Sequence, residues 1–305
     1  MPRVLATQSH VVHGYVGNKA ATFPLQCKGW DVDCLNSVQF SNHTGYGMDK
    51  VFGTCTSANE LDLVFKGLQD LNDYDALLSG YLPNREAVAC MAKNYQELKK
   101  KRPQSVWLLD PVMGDDGKLY VNEDVIPEYV SLLESSLIDV ITPNQFELEI
   151  LYGNKVRTVQ ELKKALQKLH EAVPIIVVTS CSFELFKDPK HLYCVSSVRG
   201  QPATFYRVPV IDSYFTGVGD LFSALLLDST YISHAAEKTP GALDINQVLS
   251  IVQKVLAITL EHSPNDVKAA MGSPLTMKEM ELRIIESRDC YTSPCSTNDF
   301  IYTKL

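Results

Sequence analysis

Ile175-Ile176-Val177-Val178-Thr179-Ser180 is the stretch that decides the fold. Four β-branched residues in a row show no alternation of apolar and polar side chains, so the strand they form is buried on both faces. That is the condition of a parallel sheet covered by helices on each side. The same pattern, a short apolar run closed by a hydroxyl or a carboxylate, recurs upstream. Val4 to Gln8 ends at Ser9, Ala76-Leu77-Leu78 at Ser79-Gly80-Tyr81, Trp107-Leu108-Leu109 at Asp110, and Val140-Ile141 at Thr142. With Val32 to Val38, strands are predicted at 4–8, 32–38, 76–78, 106–109, 140–141 and 175–178. Helical periodicity falls between them at 17–28, 58–69, 84–101, 123–136, 144–151 and 158–171. This alternation predicts an α/β fold, a three-layer αβα sandwich with a mostly parallel central sheet.

Beyond Val178 the pattern changes. His191 to Val198 and Ala203 to Val210 read as an antiparallel hairpin, followed by helices at about 218–235 and 243–262 and a third through Met277 to Ser287. The polar tail, 290–305, is expected to cap the surface. With no repeat and no long Pro/Gly-rich linker, residues 1–305 read as a single domain.

Lys and Arg number 28 and Asp and Glu 36, giving a net charge of −8. Nucleic acids and anionic membranes are bound by clustered cations, so neither is expected as a partner. The one dense basic run, Lys99-Lys100-Lys101-Arg102, reads as a solvated helix end. No apolar run approaches the roughly 18 residues of a membrane span, and Thr7, Gln8, Ser9, His10 and His13 interrupt the start, so the chain is expected in the cytosol or nucleus. Eight cysteines without a CxxC pair read mostly as small buried hydrophobes.

In an open parallel sheet the carboxyl ends of the strands face one crevice where ligands bind. Five polar strand ends therefore converge. Tyr214-Phe215-Thr216-Gly217-Val218-Gly219-Asp220 then opens a helix: Gly217 and Gly219 let backbone N–H groups approach an anion, and Asp220 sits in the first turn beside it. A carboxylate there either complements the helix dipole or takes a proton from an attacking hydroxyl. The loop is not GxxxxGK[ST], and no GxGxxG follows the first strand. In Ile141-Thr142-Pro143-Asn144-Gln145-Phe146-Glu147, Thr142 is expected as the helix cap with Gln145 completing a capping box, which leaves Glu147 unassigned. Asp110, Asp115 and Glu147 would then give three carboxylates at adjacent strand ends, enough for a hydrated magnesium carried by ATP.

These segments, in this order, resemble pyridoxal kinases of the ribokinase-like superfamily. The resemblance is carried by Ser9-His10-Val11-Val12-His13-Gly14-Tyr15-Val16-Gly17-Asn18-Lys19-Ala20-Ala21-Thr22-Phe23-Pro24-Leu25-Gln26 and by Asn36-Ser37-Val38-Gln39-Phe40-Ser41-Asn42-His43-Thr44-Gly45-Tyr46. It continues through Ser79-Gly80-Tyr81, Asp110-Pro111-Val112, the Thr142 to Glu147 segment, Thr179-Ser180, Gly217-Val218-Gly219-Asp220 and Glu281-Leu282-Arg283-Ile284. It implies ATP-dependent phosphorylation of the 5′-hydroxymethyl group of pyridoxal, and also of pyridoxine and pyridoxamine, by a homodimer using Mg2+ with ATP and a monovalent cation, K+ or Na+.

Ser9 and Thr44 are implied contacts to the pyridoxal ring, with Val16 and Tyr81 as its apolar surroundings and His43 and Tyr46 lining the pocket. Asp220 is implied as the base, with Gly217, Val218 and Gly219 cradling the transferring phosphate. Asp115 and Glu147 match the magnesium region, and Asp110 and Thr142 a monovalent-cation region. Asp115, Tyr120, Asn144, Thr179 and Ser180 match the ATP-binding set, with Val208, Pro209, Val210, Ile211 and Phe215 bordering the adenine. Two features depart from the family pattern. Val218 stands where Thr is common between the glycines, and Asp115 to Tyr120 is shorter than the lid of animal members. A hydroxymethylpyrimidine kinase and a catalytically weak vitamin B6 binder are the alternative readings.

Overall fold

A computed structural model describes residues 1–71, 73–235, 243–264, 267–293 and 299–304. Ten strands form one sheet: β1 (Arg3–Val11), β2 (Asp31–Phe40), β3 (Gly53–Cys55), β4 (Ala76–Ser79), β5 (Val106–Leu109), then β8 (Val140–Ile141), β9 (Ile175–Cys181), β10 (His191–Val198), β11 (Thr204–Pro209) and β12 (Ile301–Lys304). The remaining pair, β6 (Gly114–Asp115) and β7 (Lys118–Leu119), is a separate small flap. The order across the sheet is β12-β11-β10-β9-β8-β5-β4-β1-β2-β3. From β9 to β2 the neighbours are parallel; β3 at one edge and β10, β11 and β12 at the other run antiparallel.

Side-chain parity explains the three layers. In β5, Trp107 and Leu109 enter one core while Val106 and Leu108 enter the other. Ile176 and Val178 of β9 likewise face away from Val177. The first core is closed by α2 (Ala58–Gly67), α3 (Arg85–Lys101), α4 (Ile126–Glu134), α5 (Gln145–Tyr152), α6 (Val159–Leu169) and α7 (Phe183–Phe186). The second is closed by α1 (Asn18–Cys27), α8 (Val218–Ala235), α9 (Ile245–Glu261) and α11 (Arg288–Thr292), with α10 (Pro274–Glu279) packed near the crevice.

Several expectations are corrected. The helix through Met277 to Ser287 is not one helix but α10 and α11 with turns between, because Pro274 starts one unit and the chain leaves helical geometry at Met280. The tail does more than cap the surface: its end is β12, an edge strand on β11, while 294–298 and Leu305 lie outside the described residues. β1 runs on past Ser9 to Val11 through a register shift between Gln8 and Ser9, and β9 continues past Thr179 and Ser180 to Cys181. Strand β3 and the flap were too short to read from periodicity. Lys99 is not solvated: it is buried and donates to Ser105 O and to Asp139.

Of the described cysteines only Cys181 and Cys194 are buried, Cys34 and Cys55 being exposed, because they lie on strand faces and edges outside the two cores. Cys295 lies outside the described residues. Among the described residues no helix is long and apolar enough to cross a membrane.

Candidate active site

Helix α8 starts at Val218, and its first turn closes with the Leu221 N–H on Gly217 O at 3.0 Å. Gly217 has φ +83°, and a Cβ there would lie 2.0 Å from the carbonyl oxygen of Tyr15, so only glycine fits. Gly17 repeats the device at φ +52°, where a Cβ would meet Ser9 O at 2.2 Å and Ser9 Oγ at 2.3 Å. These two close approaches stack the end of β1, the 15–17 backbone and the anion-binding turn against one another. The Gly17 N–H faces the Asp220 carboxylate and favours its charged form. Burial pushes Asp220 up to about 6, opposed by that N–H and by attraction to His43. A carboxylate so tuned is ionised at neutral pH yet basic enough to accept a proton from a hydroxyl. Val218 supplies no hydroxyl; its side chain packs against the second core, and the backbone donors of the turn are unaffected.

Beneath the turn lies a knot of buried carboxylates. Asp110, 5% exposed, follows β5 and faces Gly219, where an added Cβ would lie 3.8 Å from its Oδ2. Its Oδ2 accepts from Ser223 Oγ at 3.1 Å, and Ser223 is hydrogen-bonded to Thr142 Oγ1 at 3.0 Å. Burial and the charges of Glu147 and Asp220 hold the Asp110 carboxyl well above its ordinary range. The helix start reads differently from expectation. Asn144, not Thr142, caps α5, and the partner in its capping box is Glu147, not Gln145. The reason is register: α5 begins at Gln145, which makes Glu147 the third residue and brings its Oε2 to the Asn144 N–H at 3.0 Å. Its Oε1 accepts the N–H groups of Met113 and Gly114 at 2.9 and 3.3 Å, so Glu147 also fixes the start of the flap. Thr142 is thereby free to face Ser223 and Asp110.

This donor set suits a cation. Three acidic groups repel one another here, and Asp110 has lone pairs that Ser223 does not use. Glu147 is largely engaged by backbone, and Asp115 is exposed on the flap. Among the described residues no three His, Cys, Asp or Glu converge on one point. A magnesium that keeps its waters and is carried in by phosphate oxygens asks for only one or two carboxylates.

On the acceptor side, Ser9 and Val16 are each 8% exposed, His43 is 4% exposed, and Thr44 is half-buried at the head of a short 3₁₀ turn. Tyr81 is placed by Ser37 Oγ donating to its carbonyl at 2.7 Å. Sequence reasoning assigned no role to two groups found here. Ser223 lies one turn beyond Asp220 in an otherwise apolar helix, a signal that could have been read. Glu281 bonds to Tyr15, His43 and Tyr46 from more than 230 residues away, and no local pattern announces it.

On the nucleotide side the side chain of Asn144 is committed, accepting from Glu147 N–H and donating to Gly114 O at 2.7 Å. Thr179 N–H bonds Pro143 O at 3.0 Å, so Thr179 and Ser180 of β9 border the same loop. Val208 is buried in β11 and Pro209 ends the strand. A cavity of about 790 Å³ opens beyond them, lined by Lys190, Val210, Ile211, Asp212, Tyr214 and Lys268 among others. Phe215 packs between the second core and the α10 segment. Tyr120, beside the flap, faces Tyr214 across the mouth.

A half-buried carboxylate in the first turn of a helix, two glycines at its head and acidic strand ends beneath are the parts of a phosphotransferase of the ribokinase-like class. The phosphomethylpyrimidine kinase family model matches residues 34–238. The Saccharomyces cerevisiae protein BUD16, provisionally named a pyridoxal kinase, is 60% identical over 100% of both chains. Human pyridoxal kinase is 37% identical over 94% of each chain. Pyridoxal kinase of Leishmania donovani, solved with ADP and pyridoxamine, superposes with a TM-score of 0.85 at 34% identity over 100% of both chains. The chain belongs to the pyridoxal kinase family.

Proposed function

We propose that this protein transfers the γ-phosphoryl group of ATP to the 5′-hydroxymethyl group of pyridoxal, and of pyridoxine and pyridoxamine, giving the 5′-phosphates. The observation that carries the reading is the stack of Ser9, the 15–17 backbone and Gly217 around Asp220. It sets the base between a polar acceptor pocket and an anion-binding turn. Asp220 accepts the hydroxyl proton, and the N–H groups of Gly217, Val218 and Gly219 bind the transferring phosphate. Ser9, Val16, His43, Thr44 and Tyr81 hold the ring. Asp115, Tyr120, Asn144, Thr179, Ser180, Val208 to Ile211 and Phe215 receive the nucleotide.

In this reading Asp115 and Glu147 serve the Mg2+ brought by ATP and Asp110 and Thr142 a monovalent cation, both offsetting phosphate charge. Residues 1–305 act in this reading as one kinase unit of the cytosol or nucleus. A homodimer would cover the exposed apolar side chains of Val12, Met48 and Phe52 beside edge strand β3; sedimentation of the purified chain tests it.

The matching family bears the name of a pyrimidine kinase, and the rival acceptor is a hydroxymethylpyrimidine. Purified protein with Mg-ATP, assayed on the three B6 vitamers and on hydroxymethylpyrimidine, should give its highest kcat/KM on a vitamer. No phosphorylation of any vitamer overturns the reading, and tight vitamer binding without turnover makes the protein a B6 binder.

A further inference from the structure

Glu281 follows α10 in the C-terminal part of the chain and is 8% exposed. Its Oε1 accepts from Nε2 of His43 at 2.8 Å and from the hydroxyl of Tyr46 at 2.7 Å, and its Oε2 accepts the backbone N–H of Tyr15 at 3.0 Å. Gly14, at φ +94°, lies so near that a Cβ there would come within 2.5 Å of Oε1. Burial acts to raise the Glu281 carboxyl, but His43, Tyr46 and the Tyr15 N–H outweigh it and hold the group below its ordinary range. An ionised carboxylate only accepts, so Nε2 of His43 carries the proton. The other ring nitrogen of His43 has no partner among the described residues, so Glu281 alone fixes the imidazole through a hydrogen bond.

The donors belong to the two segments that form the acceptor side. Tyr15 leads directly into Val16 and Gly17; Gly17 faces Asp220 and lies close against Ser9, and the Tyr15 carbonyl lies close against Gly217. His43 and Tyr46 flank Thr44. One carboxylate therefore sets the spacing between the Ser9–Val16 wall and the Thr44 wall, and through the 15–17 backbone it sets the base and the first glycine of the phosphate turn. The nucleotide rim is reached by other residues of the same segment, through Ala269 N–H on Ser213 Oγ at 3.1 Å and Lys268 on Asp212.

We propose that Glu281 is a positioning residue for the phosphoryl acceptor, holding His43, Tyr46 and the Tyr15 backbone so that the hydroxymethyl group meets Asp220. The proposal rests on the reading of pyridoxal as substrate. Glu281→Gln keeps the size of the side chain but replaces one acceptor oxygen with a donor. It should lower kcat/KM for pyridoxal about 10- to 100-fold, the scale of a misplaced reacting group. Affinity for a non-hydrolysable ATP analogue should be unchanged, and Glu281→Asp, which keeps the charge on a shorter arm, should fall between.

Unaltered kcat/KM for pyridoxal overturns the proposal. So does an equal loss of pyridoxal and nucleotide binding with a lowered Tm, which would mark a merely structural role. If Glu281→Gln does not fold, Tyr46→Phe decides: removing one donor should raise KM for pyridoxal severalfold and leave that for ATP alone, and no change overturns the proposal. Pyridoxal affinity, followed by fluorescence, separates this test from the kinase reading. A wild-type protein that binds pyridoxal without phosphorylating it fails that reading, while the affinity difference between wild type and Glu281→Gln still judges Glu281.

Discussion

On the acceptor side of the crevice, Ser9, His43, Tyr46 and Glu281 are buried, and His43, Tyr46 and the Tyr15 N–H are joined to Glu281 by hydrogen bonds spanning the first and last parts of the chain. On the nucleotide side, Tyr120 and Val210 are 39% and 43% exposed, Asp115 is exposed, and Lys268 pairs with Asp212 on the surface. The contrast follows from what each side must do. A phosphoryl transfer gains most from a fixed acceptor and base, so low-dielectric hydrogen bonds hold them. The nucleotide must enter and leave as a different molecule, so its rim is made of a two-strand flap and a loop that open at little cost.

The strongest test of this contrast removes the base. Asp220→Asn should cut turnover by about 10²-fold or more, the scale of a general base, while ATP binding persists. The same variant should unfold at a higher temperature than wild type near pH 7. The folded pKa of Asp220 is about 6 against an ordinary 3.8, so between those values the native state binds more protons than the unfolded one. Stability is therefore lost as pH rises through that window, and Asn escapes the loss. Near-normal turnover in a kinase assay, or a lower Tm by calorimetry, would break the picture of a rigid side that stores strain for catalysis.

A second test uses pH alone. Only ionised Asp220 can accept the proton, so kcat/KM for pyridoxal should hold above about pH 6 and fall about tenfold per unit below it. An acid limb near the ordinary carboxylate value would show that burial does not govern this group. The smallest effect belongs to the rim. Tyr120→Phe removes the hydroxyl that faces Tyr214, and KM for ATP should rise about two- to tenfold, the worth of one half-exposed polar contact. KM for pyridoxal should not move; if steady-state kinetics show both rising together, the two sides are coupled through the flap.

The identity of the crevice was legible because it lies at strand ends, where a change from apolar to polar residues is written locally. Asp110 and Thr142 follow their strands as read and Asp220 follows its glycines, whereas Ser9 and Thr179 lie inside strands that run on to Val11 and Cys181. Glu147 was half legible: its acidity was visible, but a one-residue shift in the helix start turned it into the partner of Asn144 and the hold on the flap. The tail's last strand was not legible, because four residues pair only with a strand about 100 positions earlier. Lys99 shows the same limit, since a basic run reads as solvated until Asp139 is brought beside it.

By itself, then, the sequence determined the parallel sheet, the glycine turn and the carboxylate in the first turn of its helix, since strand burial, positive φ and helix-start chemistry are set within a few residues. Tertiary structure decided how Asp220 is tuned and what holds the acceptor pocket. Both depend on Gly17, His43 and Glu281 meeting across distances of 177 to 238 positions in the chain, and burial and charge act through space, not along the backbone.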